Sequence, residues 1–199
     1  MSQKFRDWYF SRRGLILIPF FAVLAVCFWN ESKKDIMVLT LGFMASCLGS
    51  LIRVWSMRYI GKYARKRNLT VKEIATTGVY AILRNPLYVG NMFIVSGFCI
   101  ISGLLWYLPI LLVILIVHYN IVVRCEENFL VEKFGDEYLQ YKKDVPRWLP
   151  NFAGPKHFEL AKQSWKDAFM QEARGIIIGI FGIIFLLLKR VIGDYIAKG

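Results

Sequence analysis

Residues 104–123 read LLWYLPILLVILIVHYNIVV, twenty positions without a charged side chain, and the run stops at Arg124-Cys125-Glu126-Glu127. As a helix rising about 1.5 Å per residue, such a run covers the ~30 Å hydrocarbon core of a bilayer. Working back from it, Ser102-Gly103 is a turn, Leu87–Ile101 is a second apolar run, and Leu83-Arg-Asn-Pro-Leu-Tyr-Val-Gly-Asn91 stands at its mouth. The two runs predict a helical hairpin whose tip barely reaches the far leaflet. The hairpin returns the Arg124 to Glu127 cluster to the level of Arg84, and polar clusters this close to lipid are too costly to be decoration.

The remaining runs extend the same reading. Gly14 to Trp29 follows Lys4, Arg6, Arg12 and Arg13, which superficially resembles a signal peptide. Its end, Phe28-Trp29-Asn30, is an aromatic belt with no small-residue cleavage site, so a retained first span is expected. Ile36 to about Trp55 forms the second span, and Arg53 near its end reads first as a snorkelling cation, with an inward-facing ligand contact as the alternative. The third span is expected to begin at Pro86, where the missing N–H is tolerated in a first turn. After the fourth, Phe129, Leu130, Phe134, Tyr138, Leu139 and Tyr141 recur at helical spacing, predicting one amphipathic helix over 126–141. Gly175 to Leu188 is short, but Lys189 and Arg190 extend it into a fifth span. The expectation is an all-α polytopic membrane bundle of about five transmembrane helices plus a cytosolic amphipathic helix. It forms a single domain over 1–199.

Composition agrees with this class. The 199 residues are 56% hydrophobic and 16% aromatic, and their mean hydropathy is +0.43, more apolar surface than a soluble domain of this size covers. The formal charge of +12, from 26 basic and 14 acidic residues, would suggest nucleic acid in a soluble chain. Here the excess is juxtamembrane: Arg58, Lys62, Arg65, Lys66, Arg67, Lys72 and Arg84 face only Glu73. Anionic headgroups and orientation bias account for that without DNA or RNA. The same bias places the N-terminus and both polar clusters in the cytosol. Cys27, Cys47, Cys99 and Cys125 form no C-x-x-C pair, and His118 and His157 stand far apart, so neither disulfides nor a metal site is expected.

Arg84, Asn85 and Tyr88 cluster at the mouth of the third span, opposite Arg124, Glu126 and Glu127. A cofactor with an amino-acid end would place its carboxylate on Arg and its ammonium on Glu, since ionised hydrogen bonds are the strong ones. Gly90 and Asn91 leave room beside it.

The order of these pieces resembles the isoprenylcysteine carboxyl methyltransferase and phospholipid methyltransferase superfamily of integral membrane enzymes. The matching elements are Arg53-Val-Trp55, Thr77-Gly78-Val-Tyr80, Leu83 to Asn91, Glu126-Glu127, Phe134-Gly-Asp-Glu-Tyr138 with Tyr141, and Val145-Pro-Arg-Trp-Leu-Pro150. They cover roughly residues 40–150; the 151–199 extension lies outside. The resemblance implies S-adenosylmethionine as cofactor, held by Tyr80, Arg84, Asn85, Tyr88, Gly90, Asn91, Glu126 and Glu127, with Arg84, Asn85, Tyr88 and Arg124 at the chemistry. It implies a lipid-like or prenylated acceptor, carboxylate or amine, drawn from the bilayer at the cytosolic face. Two positions depart from isoprenylcysteine methyltransferases: Asn85 stands where the Arg-x-Pro motif usually has His, and Val122 where an Arg usually lies four residues before the first Glu. Asn85 cannot serve as a general base, and Arg124 is expected to supply the missing charge. Sterol and steroid reductases, which share an Arg-x-Pro-x-Tyr element and bind NADPH, are the alternative enzyme class. A non-catalytic membrane adaptor is the other rival.

Overall fold

The computed structural model of the protein describes residues 8–28, 36–60, 73–152 and 160–196. Regular structure among them is helical throughout: α1 (Ile18–Val26), α2 (Ile36–Ile60), α3 (Pro86–Ile101), α4 (Leu108–Phe134), α5 (Asp136–Asp144) and α6 (Trp165–Ile196). Short 3-10 turns cover Leu15–Leu17, Gly78–Ala81 and Leu105–Tyr107. Three helical segments are long and apolar enough to cross a membrane, Ile36–Ile60, Leu105–Phe134 and Trp165–Gly193; Leu15–Val26 and Pro86–Ile101 are shorter apolar helices.

The helix ends follow local chemistry. Proline opens α3 as expected, with Tyr88 and Val89 N–H donating to the Asn85 carbonyl. At its other end Ser102 Oγ donates to Cys99 O at 2.7 Å, and Gly103 adopts φ +82°, which turns the chain toward α4. Ser164 caps α6: its Oγ accepts the Asp167 N–H at 3.1 Å and donates to the Asp167 carboxylate at 2.8 Å. Two carbonyls in the last turn of α2 are satisfied by Gln163, whose N–H donates to Arg58 O and whose amide donates to Met57 O at 3.0 Å.

Two expectations are corrected. Helix α4 does not end near Arg124; it continues to Phe134, so Glu126 and Glu127 lie inside a long helix. The expected amphipathic helix over 126–141 is broken at Gly135, whose φ of +54° is closed to most L residues. Helix α5 then starts afresh with Asp136 and Glu137 in its first turn and Lys142 and Lys143 in its last, each matched to the helix dipole. The last helix begins at Trp165, ten residues before the expected Gly175, because Ser164 nucleates it within the polar stretch.

The chain divides into two compact units. The first comprises 1–48, 92–125 and 177–199. In it Gly97 packs against Gly42 and Ser46, a small-residue contact of the kind that lets membrane helices approach closely. Tyr9 Oη and His118 Nδ1 share a hydrogen bond of 2.8 Å, and the buried Arg190 donates to Ile101 O at 3.1 Å. Ile177, Ile178, Phe181, Phe185 and Leu188 of α6 are exposed while Lys189 and Arg190 are buried. That pattern reverses the one a water-soluble helix shows.

The second unit comprises 49–91 and 126–176. Val54, Met57 and Ala168 form one of its cores with Leu87 and Ile176; Tyr138, Tyr141 and Val145 form another with Ile74, Leu130, Val131 and Phe134. The segment after α5 is tied to the one before α3 by backbone: Arg84 N–H donates to Pro146 O at 3.0 Å and Asn151 N–H to Ile82 O at 2.9 Å.

Candidate functional site

Those two backbone bonds bring Arg147 beside Arg84. Between them sits the Glu127 carboxylate, 2% exposed. Arg147 Nη2 meets Glu127 Oε2 at 2.5 Å, its Nε donates to Oε1 at 3.1 Å, Arg84 Nη2 reaches Oε1 at 3.1 Å, and Lys142 Nζ lies 3.6 Å from Oε2. A buried carboxylate requires partners of this kind, since desolvation of an unpaired ion costs several kcal/mol. Three cations around one acid leave the cluster with surplus positive charge. Arg84 is further fixed by donation from Nη1 to Lys142 O at 2.5 Å.

Consecutive positions on α4 differ by about 100° around the helix, so Glu126 turns to a different partner. Tyr88 Oη donates to Glu126 Oε1 at 2.6 Å. Asn85 Nδ2 donates to Arg147 O at 3.3 Å, and Asn91 Oδ1 accepts from Arg53 Nη1. Arg53 also donates from Nε and Nη2 to Glu172 Oε2 at 2.9 and 2.7 Å. The snorkelling expectation for Arg53 is thus replaced by an inward ion pair. The space over Gly90 is taken by the protein: a Cβ there would stand 2.7 Å from Arg53 Cγ and 2.8 Å from Gly49 O.

Two buried donors have no acceptor among the described residues, Tyr80 Oη and Arg84 Nε. Tyr141 Oη donates to the Tyr80 carbonyl at 2.8 Å, which fixes the Tyr80 backbone and leaves its ring hydroxyl out of the bond. Burial drives the Tyr80 phenol well above its ordinary range; the neighbouring Tyr141 and Glu126 add to the shift, and Ser56 and Arg53 oppose it only in part. Ser56 gives its own proton to Ile52 O. Tyr138 and Tyr141 are likewise raised, chiefly by burial. All three phenols are neutral at physiological pH.

Of the residues expected at the site, Tyr80, Arg84, Asn85, Tyr88, Gly90, Asn91, Glu126 and Glu127 all lie in the second unit. Arg124 belongs to the first, exposed on α4. There it lines an open groove of about 340 Å³ with Val117, Asn120 and Ile121. It is two residues from Glu126, about 200° around the helix, and has no ion pair among the described residues. Arg147, Lys142 and Glu172 were not singled out from sequence. Arg147 stands in the Val145 to Pro150 element already quoted, whereas Glu172 lay in a polar stretch assigned to no helix. The basic residues Lys62, Arg65, Lys66, Arg67 and Lys72 lie outside the described residues, as do His157 and Pro155.

Three helices are long and apolar enough to cross a membrane, and a charged cluster gathers around the buried Glu127; comparison with known proteins assigns the family. A family model for phospholipid methyltransferase matches residues 37–137, and the chain belongs to that family. It is 34% identical over 115 residues to the protein-S-isoprenylcysteine O-methyltransferase of Schizosaccharomyces pombe, covering 55% of this chain and 48% of that one. It is 30% identical over 125 residues to the cobalt-zinc-cadmium resistance protein CzcN of Cupriavidus metallidurans, covering 63% and 55%. It is 27% identical over 110 residues to the methanethiol S-methyltransferase of Crocosphaera subtropica, covering 52% and 39%. The chain thus spans about half the length of such curated relatives. No solved structure matches it. The reductase alternative gains no support from these matches.

Proposed function

We propose that the chain is an integral membrane methyltransferase that uses S-adenosylmethionine to methylate a lipid-like acceptor at the cytosolic membrane face. The observation that carries the reading is the Arg84–Glu127–Arg147 cluster with its surplus positive charge. Beside it are two buried donors, Tyr80 Oη and Arg84 Nε, that no acceptor among the described residues satisfies. Buried donors without partners are costly, and a ligand's oxygen or ring nitrogen would relieve them. The cofactor fits this set: Arg84 and Arg147 would hold its carboxylate, Glu126 with Tyr88 its ammonium, and Tyr80 a polar atom of the nucleoside. When bound it supplies a methyl group already activated on a sulfonium.

The protein's part is to align the acceptor with that methyl and to exclude water. A proton acceptor is poorly provided for: Glu127 is enclosed by three cations, and the neutral Tyr80 phenol is held far above the pH at which it would act as a base. Asn85 carries an amide, which donates and accepts hydrogen bonds but does not take up a proton as a base. An acceptor that arrives as a carboxylate needs no such base, and this favours it over an amine. The relatives named for isoprenylcysteine and for methanethiol set two acceptor chemistries to test beside it. The test is calorimetric titration of the detergent-purified protein with S-adenosylmethionine and, separately, NADPH. Saturable binding of the first alone is expected; binding of NADPH instead would overturn the reading.

A further inference from the structure

Glu172 is 3% exposed and sits two turns into α6, beyond the residues that the family model matches. Its Oε2 takes two N–H groups of Arg53, Nε at 2.9 Å and Nη2 at 2.7 Å, and Arg53 then donates from Nη1 to Asn91 Oδ1 at 2.5 Å. A guanidinium has five donors and no acceptor, so Arg53 can meet Asn91 only through its carbonyl oxygen. The Asn91 amide is thereby oriented. Its NH₂ points away from Arg53 and makes no hydrogen bond among the described residues. Glu172 sets this arrangement, because one edge of the guanidinium is committed to it, and the side that carries Nη1 is turned to α3. Gly90 lets it happen, since any side chain there would strike Arg53 Cγ and the Gly49 carbonyl.

We propose that Glu172 is a positioning residue which, acting through Arg53, holds the Asn91 amide N–H groups toward an oxygen of the methyl acceptor's head group. The inference rests on the methyl-transfer reading above. Asn91 lies five residues from Pro86, about 7.5 Å along α3 from its start and about 4.5 Å beyond Tyr88 at the mouth. A water-soluble donor reaches the mouth first; an amphiphile dissolved in the bilayer reaches the deeper level of Asn91 first. An amide donor facing that level selects a head group bearing an accepting oxygen, such as a carboxylate, over a cationic amine. The last helix thus contributes to acceptor selectivity without touching the acceptor.

The experiment uses the full chain in liposomes with Glu172→Gln, which keeps size and removes charge, and Asn91→Asp, which replaces the donor by an acceptor. Donor affinity is read by titration with S-adenosylmethionine. Steady-state transfer of labelled methyl is read with three farnesyl-tailed probes, an N-acetylcysteine carboxylate, an amine and a thiol. Glu172→Gln is expected to bind the donor within about twofold of wild type, while in both variants KM for the carboxylate probe rises about tenfold or more, the scale of one charged hydrogen bond. Unchanged KM in both variants, or a KM change in Glu172→Gln matched by lost donor affinity, overturns the inference. A wild-type protein that binds the donor but methylates none of the probes contradicts the proposed function instead.

Discussion

Glu127 and Arg147, twenty positions apart in the chain, meet through two hydrogen bonds of 2.5 and 3.1 Å in a site where Glu127 is almost fully enclosed. The pair joins the middle of α4 to the segment after α5, and Arg84 completes it from the segment before α3. One carboxylate therefore holds three parts of the second unit together.

Glu127→Ala should cost about 3 kcal/mol of stability, because it leaves the buried Arg84 guanidinium facing the half-buried Arg147 without their shared anion. Glu127→Gln should cost less but still lower the unfolding temperature. Thermal unfolding of the purified protein in detergent checks both, and a wild-type temperature in Glu127→Ala would show that the cluster is not stabilising.

Gly90→Ala places a methyl 2.7 Å from Arg53 Cγ and 2.8 Å from the Gly49 carbonyl. The Arg53 side chain can shift but the carbonyl cannot, so α2 and α3 must separate at this level. The expected cost is about 1–3 kcal/mol, with cofactor affinity falling less than stability because Gly90 faces Arg53 rather than open space. Unfolding and titration measured on one preparation decide this.

The hairpin of α3 and α4 and the start of α3 at Pro86 were legible because an uncharged run and a proline are local signals. The pairing of Tyr88 with Glu126 was legible only as a shared level, from the hairpin returning the chain to the mouth of α3. Arg147 was invisible as a partner of Glu127, because the break that returns it depends on Gly135 adopting a positive φ. Glycine permits that conformation without announcing it. Arg53 looked like a snorkelling cation because its acid, Glu172, is 119 positions away and lay outside any expected helix. Arg124 was expected at the site through its closeness in sequence to Glu126; on α4 it stands two residues away, about 200° around the helix.

Orientation is open to direct test at Lys143, which is exposed on α5. With the four native cysteines replaced, Lys143→Cys should react with a membrane-impermeant thiol reagent in inside-out vesicles and stay unlabelled in intact cells. Labelling from outside would put the site on the face where the methyl donor is scarce.

The buried tyrosines give the site a defined pH response. Burial raises the Tyr80, Tyr138 and Tyr141 phenols in the folded protein above their unfolded value. The folded state thus binds these protons more tightly than the unfolded chain. Their contribution to stability is complete below about pH 10, the ordinary tyrosine value, and declines as pH rises from there toward the folded values. Across pH 7–9 the phenols stay neutral, so methyl transfer should show no dependence on Tyr80 ionisation. Tyr80→Phe should accordingly leave the shape of the pH–rate profile unchanged and weaken cofactor binding by about 0.5–1.5 kcal/mol, one neutral hydrogen bond. It should also reduce the loss of thermal stability above pH 10, because one raised phenol is gone. If the variant instead abolished a rate increase between pH 7 and 9, Tyr80 would be acting as a base, and an acceptor that must lose a proton would return to consideration.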